Sequence, residues 1–244
     1  MTAGVDPPWP PAGRSSTSRM ARILVIGATG LVGRLLADGL LADGAEIHAL
    51  LRRSAGRSAP GWHEHVAPPA DWPELARTLG GDVAISTLGT TWRAAGSEPA
   101  FRAVDLDAVV AFAAAAKAAG VQHMITVSSV GADAGSRAFY LRVKGEMEAA
   151  LRALGFARLD INRPGLLRGD RGPERRLKER AAIFVSPLVN LLLRGRLDRY
   201  AAIDAALVAN AIAALAMQDE PGAFVHHNRD LRRLAALAPA RADA

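Results

Sequence analysis

The chain has 244 residues, 50% of them hydrophobic, 22% charged and 5% aromatic, with a formal net charge of +6. This composition excludes a disordered chain, and the length suits one α/β domain around a single core. There are no cysteines, which excludes disulfides, thiolate metal sites and cysteine nucleophiles.

Residues 1–19 include Pro7, Pro8, Pro10 and Pro11 and no apolar run, so they read as a disordered tail rather than a secretory signal. Met20 opens the first apolar stretch and is a second candidate start. Residues 20–244 read as a single domain. From Arg22 onward, short β-branched runs alternate with alanine-rich stretches of helical spacing, the pattern of a doubly wound parallel sheet covered on both faces. The spacing predicts a strand at 22–26, a helix over 31–42, a strand at 46–51, a short strand near His65 and Val66, and a helix from Asp71 to Leu79. Next come a strand at 83–87, a loop rich in Gly and Thr, and a long helix over 99–119 closed by Gly120. A strand at 121–127, a helix over 139–154 closed by Gly155 and a strand at 158–162 complete the regular pattern. Beyond Pro164 it loosens into helices near 177–193 and 203–218, a strand at 224–226 and a last helix near Leu231. Residues 166–244 are too few for a second domain and are expected to form a small extension covering the substrate side of the sheet.

The first strand runs directly into Gly27-Ala-Thr29-Gly30-Leu31-Val32-Gly33, which opens the first helix. Glycines fit that junction: Gly27 permits the tight turn, Gly30 lets backbone approach a pyrophosphate, and Gly33 allows close helix–strand packing, while free N–H groups hold the anion. Thr29, Leu31 and Val32 complete the expected dinucleotide cradle. At the end of the second strand stand Arg52 and Arg53 and no carboxylate. Guanidiniums there can clamp a ribose 2′-phosphate, which favours NADP(H) over NAD(H). Leu88, Gly89 and Thr90 form another glycine turn on the ligand edge, expected beneath the ribose and nicotinamide half.

Ser128 and Ser129 end the fifth predicted strand, and Tyr140 and Lys144 follow on a helix, four positions apart and so on one face. An ammonium beside a phenol favours proton release, and the phenol can then exchange a proton with a carbonyl or alcohol oxygen. Ser129, or in second place Ser128, is expected to hydrogen-bond that oxygen. Only two tyrosines and three lysines occur in the chain, which sets this pair apart from chance spacing.

Taken together, these residues resemble the short-chain dehydrogenase/reductase superfamily in its extended or atypical branch, and within it the oxidoreductase relatives of the Tat-interacting protein. The likeness is carried by Leu88-Gly-Thr-Thr, Ala116-Lys-Ala-Ala-Gly120, Val127-Ser-Ser-Val-Gly-Ala132, Tyr140-Leu-Arg-Val-Lys-Gly-Glu-Met-Glu148 and Asn162-Arg-Pro-Gly-Leu-Leu167. It implies a Rossmann-like fold binding NADPH, Tyr140 as proton donor or acceptor with Lys144 beside it, and Pro164, Leu166 and Leu167 along the nicotinamide. Arg175 would close over the cofactor. One departure stands out: many family members carry an asparagine on the helix before the fifth strand, where this chain has Asp105 and Asp107. The function these readings imply is an NADP(H)-dependent oxidoreductase acting on a carbonyl/alcohol pair of a small molecule. The competing reading is an NADPH-binding regulatory or scaffold protein without turnover.

The arginines are scattered, so no nucleic-acid partner is expected, and no apolar run reaches the ~18 residues of a membrane span. A cytoplasmic monomer or homodimer is the expectation. His63 and His65 flank Glu64 and share a strand face, but with no third ligand evident along the chain, no metal site is expected.

Overall fold

The computed structural model describes residues 21–169 and 195–237. Seven strands form one parallel sheet: β1 (Arg22–Ile26), β2 (Glu46–Leu51), β3 (Trp62–Val66), β4 (Val83–Ser86), β5 (His123–Val127), β6 (Arg158–Asn162) and β9 (Gly222–His226). Their order is β3-β2-β1-β4-β5-β6-β9. The order reverses direction between β1 and β4, and in an open α/β sheet the crevice at that reversal is where ligands bind. A separate two-stranded pair joins β7 (Leu167–Arg168) to β8 (Ile203–Asp204).

The central strands are almost wholly buried because helices cover both faces. On one face, α1 (Leu31–Ala42), α7 (Ala205–Ala216) and α8 (Asn228–Ala235) enclose Ile23, Val25, Ile47, Ala49 and Ile85. On the other, α2 (Trp72–Leu79), α5 (Ala108–Ala118) and α6 (Phe139–Ala153) enclose Leu24, Ile26, Leu50, Met124 and Ile161. Successive residues of β1 thus feed opposite cores, which is why these strands read as continuous apolar runs without alternation.

Four details differ from the spacing-based reading. A short helix, α3 (Trp92–Ala95), interrupts the loop after β4; Thr91 caps it by accepting from the Ala94 N–H at 3.2 Å. The long helix begins as α4 (Glu98–Arg102), widens into a π turn at Ala103–Asp107 and continues as α5. Phe101, Asp105 and Val109, four apart, are all buried. In a straight α-helix two such steps drift by about 80°, and the extra residue of the π turn absorbs that drift. β5 starts at His123, two residues later than the spacing suggests. Ile203 and Asp204 belong to β8, and α7 begins after them because Asp204 takes an extended conformation and caps the helix, accepting from the Ala206 N–H at 2.8 Å.

Of the expected C-terminal cover, Leu166 and Leu167 line the crevice, whereas α7 packs on α1 and β9 extends the sheet beyond β6. The expected tail at 1–19, the helix near 177–193 and Arg175 lie outside the described residues.

Candidate active site

Gly27 follows β1 directly with φ +83°, and a Cβ there would sit 2.4 Å from the Leu88 nitrogen. At Gly33 a Cβ would lie 2.2 Å from the Gly27 carbonyl oxygen, so this glycine lets α1 press against the strand end. Gly30 is different. A Cβ there would meet only the Gly27 oxygen, at 3.3 Å, and otherwise open space. Packing within the protein therefore does not demand glycine at Gly30, whereas a ligand lying on that backbone would. Gly30 is also the N-cap of α1, no side chain caps it, and no acidic residue stands in the first turn. Among the described residues, no side chain caps the free N–H groups of this first turn, which with the helix dipole face the crevice.

Two chambers flank this loop. The larger, about 1080 Å³, is lined by the α1 N-terminus, Leu88–Thr91, Ser128, Ser129, Tyr140, Lys144 and Pro164–Leu167. The smaller, about 770 Å³, is lined by Gly27, Leu50–Ala55, Arg57, Trp62 and Trp72. Thr29, Arg34 and Leu88 border both, so the chambers meet at the glycine loop. Every site residue expected from the sequence thus falls on one of two adjoining walls, apart from Arg175, which is not described.

In the smaller chamber Arg52 and Arg53 are exposed at the end of β2. Their loop is tied down by Glu64 of β3, which accepts from the Ser54 hydroxyl at 2.6 Å and the Trp62 indole at 3.0 Å. The Ser54 bond, with Trp62 behind it, holds the Glu64 carboxyl below its usual range against a small opposing effect of burial. Arg57 pairs with Asp38 at 2.7 Å and lies over the Trp62 ring. The sequence alone does not assign Arg34 or Arg57 to this wall, or Glu64 as the anchor of its loop; their signal is positional and emerges only once α1 and β3 flank β2.

In the larger chamber, Tyr140 and Lys144 lie on the same face of α6. Tyr140 is 42% exposed and its ring packs edge-on to Phe101, while Lys144 is buried. The Lys144 ammonium lies 2.7 Å from Asp105 Oδ1, and Asp105 Oδ2 accepts from the Thr90 N–H at 2.7 Å. A carboxylate on the π turn therefore joins the β4 loop to the lysine of α6. Asp107, the other acid on that turn, is not part of this link.

The two serines diverge. Ser128 is buried and donates to Glu148 Oε1 at 2.6 Å, a carboxylate that also accepts from Arg163 at 2.8 and 2.6 Å. Ser129 is only partly buried, and its hydroxyl makes one long contact, 3.4 Å, to the Val130 carbonyl. The Pro164–Leu167 segment is held from behind by the buried Asn228, which accepts from the Gly165 N–H at 2.9 Å and donates to the Ala201 carbonyl at 2.7 Å.

A parallel sheet reversing at β1/β4, with a glycine cradle at its first βα turn, defines an NAD(P)-binding Rossmann fold. The chain belongs to the NAD(P)H-binding family, whose model matches residues 27–182, and is an atypical short-chain dehydrogenase/reductase. It is 37% identical over 178 residues to "Protein fmp52, mitochondrial" of Emericella nidulans, covering 69% of this chain and 76% of that protein. It is 35% identical over 159 residues to "Protein HTATIP2" of Rattus norvegicus, covering 63% of this chain and 65% of that protein. Among solved structures, the UDP-glucose 4-epimerase of Thermus thermophilus in complex with NAD superposes with a TM-score of 0.62 at 20% identity, covering 88% of this chain and 82% of the other, a likeness of fold alone. Several fungal relatives are named as mitochondrial proteins, which overturns the expectation of a cytoplasmic location. Among the described residues, no helix is long and apolar enough to cross a membrane.

Proposed function

We propose that this protein is an NADP(H)-dependent oxidoreductase that interconverts a carbonyl and an alcohol on a small molecule, with Tyr140 and Lys144 as its catalytic pair. The observation that carries the reading is the opening of Tyr140 and Lys144 into the same chamber as the uncapped N-terminus of α1. That chamber, about 1080 Å³, slightly exceeds the roughly 300–1,000 Å³ common for ligand pockets, which leaves room for a substrate beside the nicotinamide half.

In this reading the backbone N–H groups at Thr29–Val32 hold the pyrophosphate, and the smaller chamber takes the adenosine half. Arg52 and Arg53 bind the 2′-phosphate; neither has an ion-pair partner among the described residues, so both are available for a bidentate contact. A reduced nicotinamide bound in the larger chamber would be the source of the hydride that a carbonyl carbon needs. The Tyr140 phenol gives its proton to the carbonyl oxygen, so that an alcohol leaves and a phenolate remains to be reprotonated from solvent. The Ser129 hydroxyl donates to the same oxygen. Lys144, fixed by Asp105, holds the ribose and places its positive charge beside the phenolate.

Two measurements test this. Fluorescence titration should show tighter binding of NADPH than of NADH, and Arg52→Ala with Arg53→Ala should cost NADPH on the order of 10-fold or more while leaving NADH within a few-fold. Equal affinities in the wild type would remove the NADP assignment. Tyr140→Phe should lower turnover of a carbonyl substrate by about 10²–10⁴-fold with NADPH affinity unchanged within a few-fold. A wild-type protein that binds NADPH yet reduces no compound in a broad carbonyl panel would instead support the regulatory reading.

A further inference from the structure

The clearest cluster of ligating side chains outside the nucleotide crevice lies at the β2–β3 edge of the sheet. Parallel pairing sets His48 opposite His63 and Leu50 opposite His65. Alternation along each strand then brings Glu46 and His48 of β2, and His63 and His65 of β3, to a single face. The third ligand that is not evident along the chain is thus supplied from the neighbouring strand. We propose that Glu46, His48 and His63 bind one divalent ion of the zinc class, with a water completing the coordination.

The distances suit such an ion. His48 Nε2 lies 2.9 Å from Glu46 Oε1, and His63 Nε2 lies 3.6 Å from the same oxygen. The three ligand atoms all fall within 4.8 Å of one another. Bonds of about 2.0–2.1 Å in a tetrahedron place neighbouring ligand atoms roughly 3.3 Å apart, so the observed spacings bracket the requirement. The outer shell is present as well. His48 Nδ1 lies 2.9 Å from His65 Nε2; when Nδ1 donates across that contact, the Nε2 lone pair of His48 is turned toward Glu46 and His63. His63 has 49% of its side chain exposed, which leaves a path for the ion and a place for water. Two imidazoles with one carboxylate favour zinc over magnesium or calcium, which take oxygen ligands. One group competes: Arg22 lies 3.4 Å from Glu46 Oε1 and must yield that oxygen when the ion enters. None of the three ligands lines either chamber of the nucleotide crevice, so the site stands apart from the proposed reaction.

The test uses the full chain without a histidine tag, stripped with a chelator and titrated with Zn²⁺ against a chromophoric indicator. The expected result is one ion per chain with micromolar or tighter affinity, and a four-coordinate visible spectrum when Co²⁺ replaces Zn²⁺. His63→Gln and Glu46→Gln should weaken binding on the order of 100-fold or more, and His65→Gln roughly 10-fold. Arg22→Ala should tighten it by freeing the carboxylate. Should His48→Gln fold poorly, the half-exposed His63 carries the test, with an unchanged melting temperature in the absence of metal as its control. The proposal is overturned by binding that survives both His63→Gln and Glu46→Gln, by affinity weaker than millimolar, or by equal affinity for Mg²⁺.

Discussion

Two clusters in this molecule set histidines from neighbouring strands against a carboxylate, and their surroundings make them opposites. Across β5, β6 and β9, Asp160 is fully buried and both its oxygens are occupied. Oδ2 accepts from Arg158 Nε at 2.6 Å and lies 2.8 Å from His123 Nε2; Oδ1 accepts from Arg158 at 3.1 Å and lies 2.7 Å from His226 Nε2. Arg158 gives further donors to the Glu220 carbonyl and the Gln218 side chain, each at 2.8 Å. Nothing can be added to that cluster. On β2 and β3, by contrast, Glu46 keeps 27% of its side chain exposed and is shared loosely among Arg22, His48 and His63. Both carboxylates lie on the strand next to an edge, Glu46 on β2 beside β3 and Asp160 on β6 beside β9, so place in the sheet does not separate them. Saturation of the carboxylate makes the difference: Arg158 fills both oxygens of Asp160, whereas Arg22 reaches Glu46 only at 3.4 Å.

That contrast can be broken by substitution. Asp160→Asn should be the most damaging, because it leaves Arg158 buried without its counter-charge, at a cost of about 3–5 kcal/mol. The melting temperature in thermal unfolding should fall on the order of 10 °C. The same residue governs acid sensitivity. Burial alone would raise its carboxyl pKa, but the bonds from His123, His226 and Arg158 outweigh that and hold it well below the usual range. A lowered folded-state value means that the stabilisation is present above the unfolded pKa of about 3.9 and is lost as pH falls below it. Acid titration followed by circular dichroism should show that loss in the wild type and a flatter acid limb in Asp160→Asn.

Asp105 lies between the extremes: its carboxylate is buried like Asp160, but its partner Lys144 borders the crevice. Asp105→Asn should cost about 2 kcal/mol, less than at Asp160 because water can reach the lysine from the chamber. It should also weaken nucleotide binding, since Thr90 and Lys144 lose their common anchor, and equilibrium denaturation with and without NADPH would separate the two effects. Glu46→Gln should cost under about 1 kcal/mol, as expected for exposed ion pairs. His63→Gln should change stability by no more than about 0.5 kcal/mol. A large loss of metal-free stability in either of these last two would mean that the edge cluster is structural after all, like its counterpart on β6.

Much of the crevice was legible along the chain because its parts are local. The glycine loop needs only a strand before it and a helix after it, and the Tyr140–Lys144 spacing places both groups on one helix face whatever surrounds them. Three things were not legible. The π turn that carries Asp105 inward depends on keeping Phe101 and Val109 buried together, a demand set by the packing of α5 and α6 on the sheet. The different fates of Ser128 and Ser129 depend on Glu148, twenty residues from Ser128, and on Arg163 in a loop beyond the next strand. The third ligand at the β2–β3 edge depends on which residue of β2 faces His63, and strand register is invisible to one-dimensional spacing.

The residues in their order along the chain thus determined the βα alternation, the continuous apolar strands and the dinucleotide cradle, because propensity, period and turn chemistry act over a few neighbours. Only the tertiary structure decided which carboxylates are saturated, which arginines border the crevice and which histidines meet. Those outcomes depend on contacts between residues such as Arg22 and Glu46, or Asp160 and His226, that are distant along the chain and adjacent only across paired strands.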